Sequence, residues 1–283
     1  MLLRVLLLLI VFAVALAPRA AEAQEPAAAP AVTVQVERED TDADLNLSQP
    51  DFMVVTLPTT LRLPRFKSAF RVTHRFTRPL GQGDFGNLAE DFFGLDTGAV
   101  IGLEYRFGLA RGWQAGIYRT SDRTIELFTQ YNLWGQANRL IGLSVIASID
   151  GTDNFTESYS PTLGAVISRE LGTWGALYLE PIWVNNTNPL PSEVVDDNDT
   201  FMVGIGARIR IRPTLYLVGE VIPGTGFKPG VSHGTFGFEK RLGGHTFQAN
   251  FSNGVGSTMG QIARGGIGDD NWYLGFSISR KFF

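Results

Sequence analysis

The run Phe201-Met202-Val203-Gly204-Ile205-Gly206-Ala207-Arg208-Ile209-Arg210-Ile211-Arg212 alternates strictly between two kinds of residue. Every second residue, beginning with Phe201, is apolar, and the residues between are methionine, glycine or arginine. A helix would scatter the two sets around its circumference, whereas a strand sorts them onto opposite faces. The run is therefore predicted to be a β-strand with one apolar face.

The same alternation recurs about twelve times between Ala69 and the C-terminus. The longer runs are close to the roughly 9–11 residues that a tilted strand needs to cross the hydrocarbon layer of a membrane. The predicted strands are 69–77, 97–107, 112–119, 124–133, 139–149, 159–170, 175–184, 199–211, 214–222, 235–241, 245–252 and 272–283.

The lengths of the links separate a membrane barrel from other all-β folds. Tight links at 108–111, 134–138, 171–174, 212–213 and 242–244 alternate with mostly long links, the short link 120–123 being the exception. Short turns at one rim, long loops at the other and an even strand number are typical of transmembrane antiparallel up-and-down β-barrels. The long links 185–198 and 253–271 are accordingly predicted to be open to protease on intact cells, and the tight turns are not.

Aromatic residues favour the same fold. They fall near the two ends of the predicted strands, as in the interfacial girdles of a lipid-facing barrel. A secreted soluble β-sandwich, the alternative fold, would concentrate its large rings in mid-strand. The predicted girdles contain Phe70, Phe107, Trp113, Tyr131, Trp134 and Phe282 at the short-turn end, and Phe76, Tyr159, Trp183, Phe201, Phe251 and Trp272 at the other.

The N-terminus reads as an export signal followed by an extension. A basic start, an apolar run and Ala21-Glu22-Ala23 predict a signal peptide over 1–23, cleaved before Gln24. Residues 24–68 are predicted to be a periplasmic extension, because prolines and a charge run fragment them, with one short strand at 52–57. Residues 69–283 are predicted to form the barrel.

Composition narrows the function classes and the partners. Charged residues make up 18% of the chain and the net charge is −4, which gives no reason to expect nucleic-acid binding. The chain has no cysteine, so a lipoprotein anchor and a disulfide framework are excluded. We expect a monomer in the outer membrane of a bacterium, surrounded by its lipids, with no cofactor and no metal.

The C-terminal strand resembles the assembly signal of outer-membrane barrels, which ends in phenylalanine. The barrel-assembly machinery is therefore an expected partner through Phe282 and Phe283. The apolar face of the last strand includes Phe282 and is one residue out of phase with Phe283. Either a bulge near Arg280-Lys281 restores the phase or Phe282 is the signal residue.

Several stretches resemble a family of bacterial outer-membrane β-barrels of unknown function. The resemblance covers nearly the whole chain after the signal peptide, and it implies the barrel and its compartment but no residue-level activity. The stretches are Leu57–Pro64, Thr73–Phe76, Pro79–Gly86, Asp91–Asp96, Arg119–Thr124, Pro181–Thr187 and Trp272–Phe283.

Charged residues on the inward face are the candidate functional residues. Opposed charges could line a constriction that selects solutes, or they could pair and fill the lumen, since twelve strands lie between a packed and an open barrel. Neighbouring strands predict that Arg208 and Arg210 pair with Glu180 and Glu220. The predicted lumen-lining residues are Arg71, Arg75, Glu104, Arg106, Glu126, Glu180, Arg208, Arg210, Glu220 and Glu239.

Lipid hydrolysis and divalent-cation binding are the alternatives to a narrow pore or a structural or binding barrel. Some barrels hydrolyse lipids with a serine–histidine pair, and His74 falls on the outward face, but no serine or asparagine is positioned opposite it. The chain is therefore predicted not to be an enzyme. The long links are rich in aspartate and glutamate, which could hold divalent cations or only be solvated, and their spacing matches no calcium loop.

Overall fold

Twelve antiparallel strands close into one barrel in the computed structural model, which describes residues 46–188, 198–226, 231–268 and 271–283. A thirteenth strand of three residues, β10, continues β9 beyond Pro223 and pairs with β8. The strands are β1 Ser68–Phe76, β2 Ala99–Ala110, β3 Trp113–Thr120, β4 Ile125–Trp134, β5 Gly142–Gly151, β6 Tyr159–Glu170, β7 Gly175–Val184, β8 Thr200–Arg212, β9 Leu215–Ile222, β10 Gly224–Gly226, β11 His233–Leu242, β12 His245–Ser252 and β13 Tyr273–Phe282.

The barrel is closed by the pairing of the first strand with the last. β1 pairs with β2 on one side and with β13 on the other, where Ser68 lies opposite Phe282. Closure pairs each of the twelve barrel strands on both sides within the described residues, as a membrane interior requires. The structure confirms the predicted all-β, twelve-stranded barrel. The largest difference at a strand start is at β5, which begins at Gly142 rather than at 139.

Alternation within each strand separates a lumen face from a lipid face. On β8, Ile205 and Ile209 keep 49% and 45% of their side chains exposed, whereas Met202 and Arg208 keep 1% and 0%. Apolar residues on the outside and charged residues on the inside are the reverse of a soluble protein and suit a lipid environment. Of the predicted girdle aromatics, Phe76 is the one that is buried, in ring contact with Phe276.

A charge on the lipid face is expected to destabilise the barrel according to its depth. Ile205→Arg should lower the free energy of unfolding by about 2–4 kcal/mol, because it places a cation near the bilayer midplane. Ile211→Arg, near the end of the same strand and face, should cost about 0–1 kcal/mol. Equilibrium unfolding of both variants in lipid vesicles measures the difference, and equal losses would contradict the assigned faces.

The links carry only short helices. On the long-loop rim they are α1 Phe85–Glu90, a 3-10 helix over Phe92–Thr97, α2 Thr152–Phe155 and α3 Met259–Ile262. On the short-turn rim, a 3-10 helix spans Gln136–Asn138. None of the helices in the described ranges has the length and apolar character needed to cross a membrane.

The register of β13 resolves the phase of the C-terminus. Its pairing with β1 runs without interruption from Gly275 to Phe282, so no bulge occurs at Arg280-Lys281. Phe282 points to the lipid side with 46% of its surface exposed. Lys281 points into the lumen and donates to the carbonyl of Pro50. Phe282 is thus the aromatic residue in phase with the lipid face.

Candidate functional site: the lumen and the segments that fill it

Residues 46–64, which we name the lumen hairpin, enter the barrel, and Arg62 and Pro64 at its end are exposed. Residues 48–60 are all buried. The chain enters at the short-turn rim, reverses at Val54–Leu57 and returns, with Val54 N–H donating to the Leu57 carbonyl at 2.7 Å. The interpretation of 24–68 as a periplasmic extension therefore does not describe residues 46–64. The predicted strand over 52–57 is wrong, because this stretch turns back at its tip.

The tip of the lumen hairpin is held by one carboxylate of the wall. Glu220 accepts hydrogen bonds from the main-chain N–H groups of Val55, Thr56 and Leu57 at 3.1, 2.8 and 3.1 Å. The hydroxyl of Thr56 donates to the same carboxylate. Hydrogen bonds to an ionised acceptor are stronger than those between neutral groups. Glu220 therefore fixes the depth to which the hairpin enters.

Two glycines of β8 provide the space that the tip fills. A Cβ placed on Gly204 would lie 2.7 Å from a methyl carbon of Leu57, closer than atoms in contact allow. A Cβ on Gly206 would lie 3.6 Å from a methyl of Val54. Glycine inside a strand often marks the close approach of another chain. The inward glycines were a sequence signal for an inserted segment.

The opposite half of the lumen is occupied by the link between β12 and β13. We name residues 253–268 of this link the inner loop. Its residues 258–260 and 262–263 are buried. Gly260 N–H donates to Asp150 at 3.0 Å, and the Tyr118 hydroxyl donates to Ser257 at 2.9 Å. The loop therefore folds into the barrel, so the predicted protease access to 253–271 is wrong for these residues.

The hairpin and the inner loop belong to one apolar cluster with the wall. Burying these side chains together removes apolar surface from water, which stabilises the inserted arrangement. The cluster contains Val54, Val55 and Leu57 of the hairpin, Met259, Ile262 and Ala263 of the loop, and Ile146, Val166, Ala176, Tyr178, Ile182, Val184, Met202, Val218 and Ile222 of the wall. The two inserted segments thus close the lumen from both rims.

A small cavity of mixed polar and apolar lining remains where the two segments approach the wall. Its volume is about 40 Å³, which is room for a few water molecules. Thr56 of the hairpin and Ser257 of the inner loop contribute to its lining, together with charged wall residues. These are Arg71, Glu104, Arg106 and Glu126.

The charged residues of the wall have partners other than those predicted. Arg208 pairs with Glu239 at 2.8 Å with both side chains fully buried, and not with Glu180 or Glu220. The Arg210 guanidinium donates hydrogen bonds to the Pro213 carbonyl at the short-turn rim. The predicted pairing is wrong because the strand register places Glu180 opposite Gly204 and Glu220 opposite Gly206, and the hairpin tip hydrogen-bonds to the Glu220 carboxylate.

The remaining predicted residues are also on the lumen side. Nine of the ten predicted residues are buried, Arg210 being partly exposed. Their contacts are as follows: Arg106 pairs with Glu104 at 2.9 Å, Arg71 donates to the Val55 carbonyl, Arg75 donates to Asn250, and Glu126 lies opposite Asp150 across β4 and β5. Both carboxylate oxygens of Glu180 lack a hydrogen-bond partner within the described residues.

The histidines and the acidic links show no arrangement of a reactive centre in the described residues. His74 is on the outer face and stacks on Phe276 with ring centroids 4.2 Å apart. His233, which begins β11, is buried, and His245 begins β12 beside Phe247. Within the four described ranges, no three potential metal ligands cluster.

A closed twelve-stranded barrel with an apolar outer face and a charged, filled lumen is a membrane-spanning β-barrel of the outer-membrane type. Over residues 51–282 the chain matches the family described as membrane-bound β-barrel domain (DUF5777), and it belongs to that family. The match begins within the lumen hairpin, so residues 51–64 are part of the family's domain. The chain has no significant match among curated proteins.

Solved structures with a similar fold are outer-membrane barrels. The NanC porin aligns with a TM-score of 0.50 and 7% identity, covering 76% of this chain and 99% of that one. Outer membrane phospholipase A from Escherichia coli aligns at 0.39 and 11%, covering 81% and 97%. A mutant of the Rh. blastica porin aligns at 0.34 and 11%, covering 65% and 55%. The alignment with the NanC porin agrees with the barrel fold.

Proposed function

We propose that the protein is a gated narrow pore of the bacterial outer membrane, and that the structure is its closed state. The lumen wall carries the charges of a solute path, but the lumen hairpin and the inner loop fill it, and the cavity between them and the wall measures about 40 Å³ among the described residues. A solute larger than water cannot pass in this state. Conduction therefore requires the hairpin to move.

One observation carries the proposal: the hairpin is attached to the barrel by contacts that can be broken without breaking the barrel. In the described chain, residues 46–64 form no ladder with a wall strand, and their β-bridge, Met53 to Pro58, is internal. Side chains of the wall hold them instead. Withdrawal through the short-turn rim would leave every strand pairing intact, whereas the inner loop would lose part of its apolar support.

A pore is favoured over a lipid hydrolase by the surroundings of His74. The cross-strand neighbours of His74 are Phe276 on β13 and Ile101 on β2, and neither can act as a nucleophile. A hydrolytic histidine needs a nucleophile within hydrogen-bond reach. The proposed function is therefore not enzymatic.

The proposal includes the biogenesis expected from the sequence. The chain is exported with residues 1–23 as a cleaved signal peptide and is inserted by the barrel-assembly machinery, with Phe282 as the terminal aromatic of the lipid face. It functions as a monomer surrounded by outer-membrane lipids. The exposed apolar residues of the outer face and the regular end of β13 support this view.

A reversible disulfide tests whether the hairpin is the gate. The Thr60 Oγ1 and Ser168 Oγ atoms are 2.5 Å apart, which is close to the ~2.05 Å length of an S–S bond. The unmodified chain has no cysteine, so cysteines introduced at these two positions can pair only with each other. In planar bilayers, oxidised Thr60→Cys/Ser168→Cys should remain closed, and reductant should restore openings like those of the unmodified protein.

The two single-cysteine variants serve as controls, because neither can form the bond and both should open in either redox state. Openings that persist in the oxidised double variant would show that the hairpin is not the gate. Closure of every variant under reducing conditions would show that the hairpin is a permanent part of the fold.

A further inference from the structure

The wall of the lumen recognises the main chain of the hairpin. On the arm that enters the barrel, three consecutive carbonyl oxygens each accept a hydrogen bond from a wall side chain. The donors come from three different strands, β8, β12 and β1. The pairs are Arg208 to Met53 at 2.7 Å, Gln248 to Val54 at 2.7 Å and Arg71 to Val55 at 2.5 Å.

The arm that leaves the barrel is held in the same way. Three further consecutive carbonyls accept hydrogen bonds from amide side chains on β3 and β4. The pairs are Gln130 to Thr59 at 2.7 Å, Asn132 to Thr60 at 2.9 Å and Gln114 to Leu61 at 3.2 Å. Together with the three N–H groups bound by Glu220, these contacts show that wall side chains hydrogen-bond to the main chain of both arms and of the tip.

These contacts define the chemical class of the ligand. Successive main-chain carbonyls and N–H groups are a property of every polypeptide, and wall side chains that hydrogen-bond to them contact the backbone rather than the side chains of the hairpin. Val54, Val55 and Leu61 offer carbonyls while their own side chains have no polar atom.

The structure assigns a peptide-binding site to the lumen, and we infer that a hairpin-forming segment of another polypeptide takes the place of residues 46–64 when these residues leave. The inference rests on the proposed function, since the hairpin must leave first. Once it leaves, buried donors on five strands lose their acceptors, and buried donors need partners. At the tip, the space beside Gly204 and the carboxylate of Glu220 select a turn with small or branched apolar residues.

Cutting the link between hairpin and barrel makes the exchange measurable in the full chain. Phe66 is 64% exposed in this link, so a specific protease site can replace residues 65–67 and be cut after folding. The probe is a fluorescent peptide with the sequence of residues 46–64. We expect the cut barrel to capture it in exchange for its own hairpin.

Competing peptides separate recognition of the main chain from recognition of side chains. A peptide that keeps 54–57, Pro50 and Pro58 but has alanine or serine elsewhere should compete within about tenfold of the native sequence. A native-sequence peptide N-methylated at Val55, Thr56 and Leu57 should be about a hundredfold weaker, because Glu220 loses its donors. Poly(ethylene glycol) of similar mass should not compete.

The inference is overturned if the altered peptide fails to compete, or if the N-methylated peptide or the polyether competes as well as the native one. If the cut opens a conductance but no peptide is exchanged, this inference alone is refuted. Cutting that changes neither conductance nor exchange refutes the proposed function as well. If the cut variant does not fold, the uncut Ser168→Cys barrel should form a disulfide with a 46–64 peptide carrying Thr60→Cys, and no disulfide counts against the inference.

Discussion

Arg208→Met is expected to lower the free energy of unfolding by about 3–5 kcal/mol. Arg208 and Glu239 form an ion pair at 2.8 Å in which neither side chain reaches solvent. Removal of the guanidinium leaves the Glu239 carboxylate buried without its counter-charge, and it also removes the donor to the Met53 carbonyl. Urea unfolding of the refolded barrel, followed by tryptophan fluorescence, measures the loss.

Two variants test the cause of this loss. Adding Glu239→Gln to Arg208→Met should recover part of the stability, because no unpaired charge then remains in the lumen. Arg210→Met is the matched control, since Arg210 is on the same strand and face but its guanidinium donates to the Pro213 carbonyl at the rim rather than to a buried carboxylate. It should cost less than about 1 kcal/mol. An equal loss for Arg208→Met and Arg210→Met would show that the buried pair does not stabilise the barrel.

The strands could be predicted from the sequence because alternation is a local property. A strand in a membrane barrel faces lipid on one side along its whole length, so each second residue is constrained without reference to distant parts of the chain. The predicted bounds 175–184 and 245–252 coincide with β7 and β12. Differences are confined to strand ends, such as β11, which begins at His233.

The partners of the lumen charges could not be predicted in this way. Alternation assigns Glu180, Arg208 and Glu220 to the inward face, but their contacts depend on what else occupies the lumen. Adjacent strands place Glu180 beside Gly204 and Glu220 beside Gly206. Because these glycines have no side chain, the hairpin fills the space beside them. Its main-chain N–H groups then donate hydrogen bonds to Glu220.

The composition of residues 46–64 did not predict that they form a hairpin inside the barrel. The prolines beside residues 52–57 and the charge run that precedes them are typical of an extension outside a domain, and the six residues 52–57, five of them apolar, suggest a strand. Buried inside a barrel, the same prolines flank a reversal of the chain. The informative signals were the short apolar run 52–57 outside the barrel strands and the inward glycines on β8, which complement each other only in three dimensions.

Glu220→Gln is expected to release the lumen hairpin about a hundredfold more often than in the unmodified protein. Glu220 accepts hydrogen bonds from three main-chain N–H groups and one hydroxyl at the hairpin tip. Glutamine keeps one acceptor oxygen, but its NH2 group faces donors and it has no charge. A loss of about 3 kcal/mol corresponds to this hundredfold shift.

The release can be followed by a thiol reporter in the hairpin. Thr59 is fully buried and its hydroxyl bonds only within the hairpin in the described structure, so Thr59→Cys labels with a water-soluble maleimide only after the hairpin moves. Glu180→Gln is the matched control in the same background. Glu180 is as deeply buried as Glu220 but binds no hairpin group in the described structure, so Glu180→Gln alters a buried carboxyl of the lumen without removing an acceptor from the hairpin tip. Labelling should therefore accelerate with Glu220→Gln and not with Glu180→Gln. Equal acceleration by both would mean that the net charge of the lumen, and not the contacts of Glu220, holds the hairpin in place.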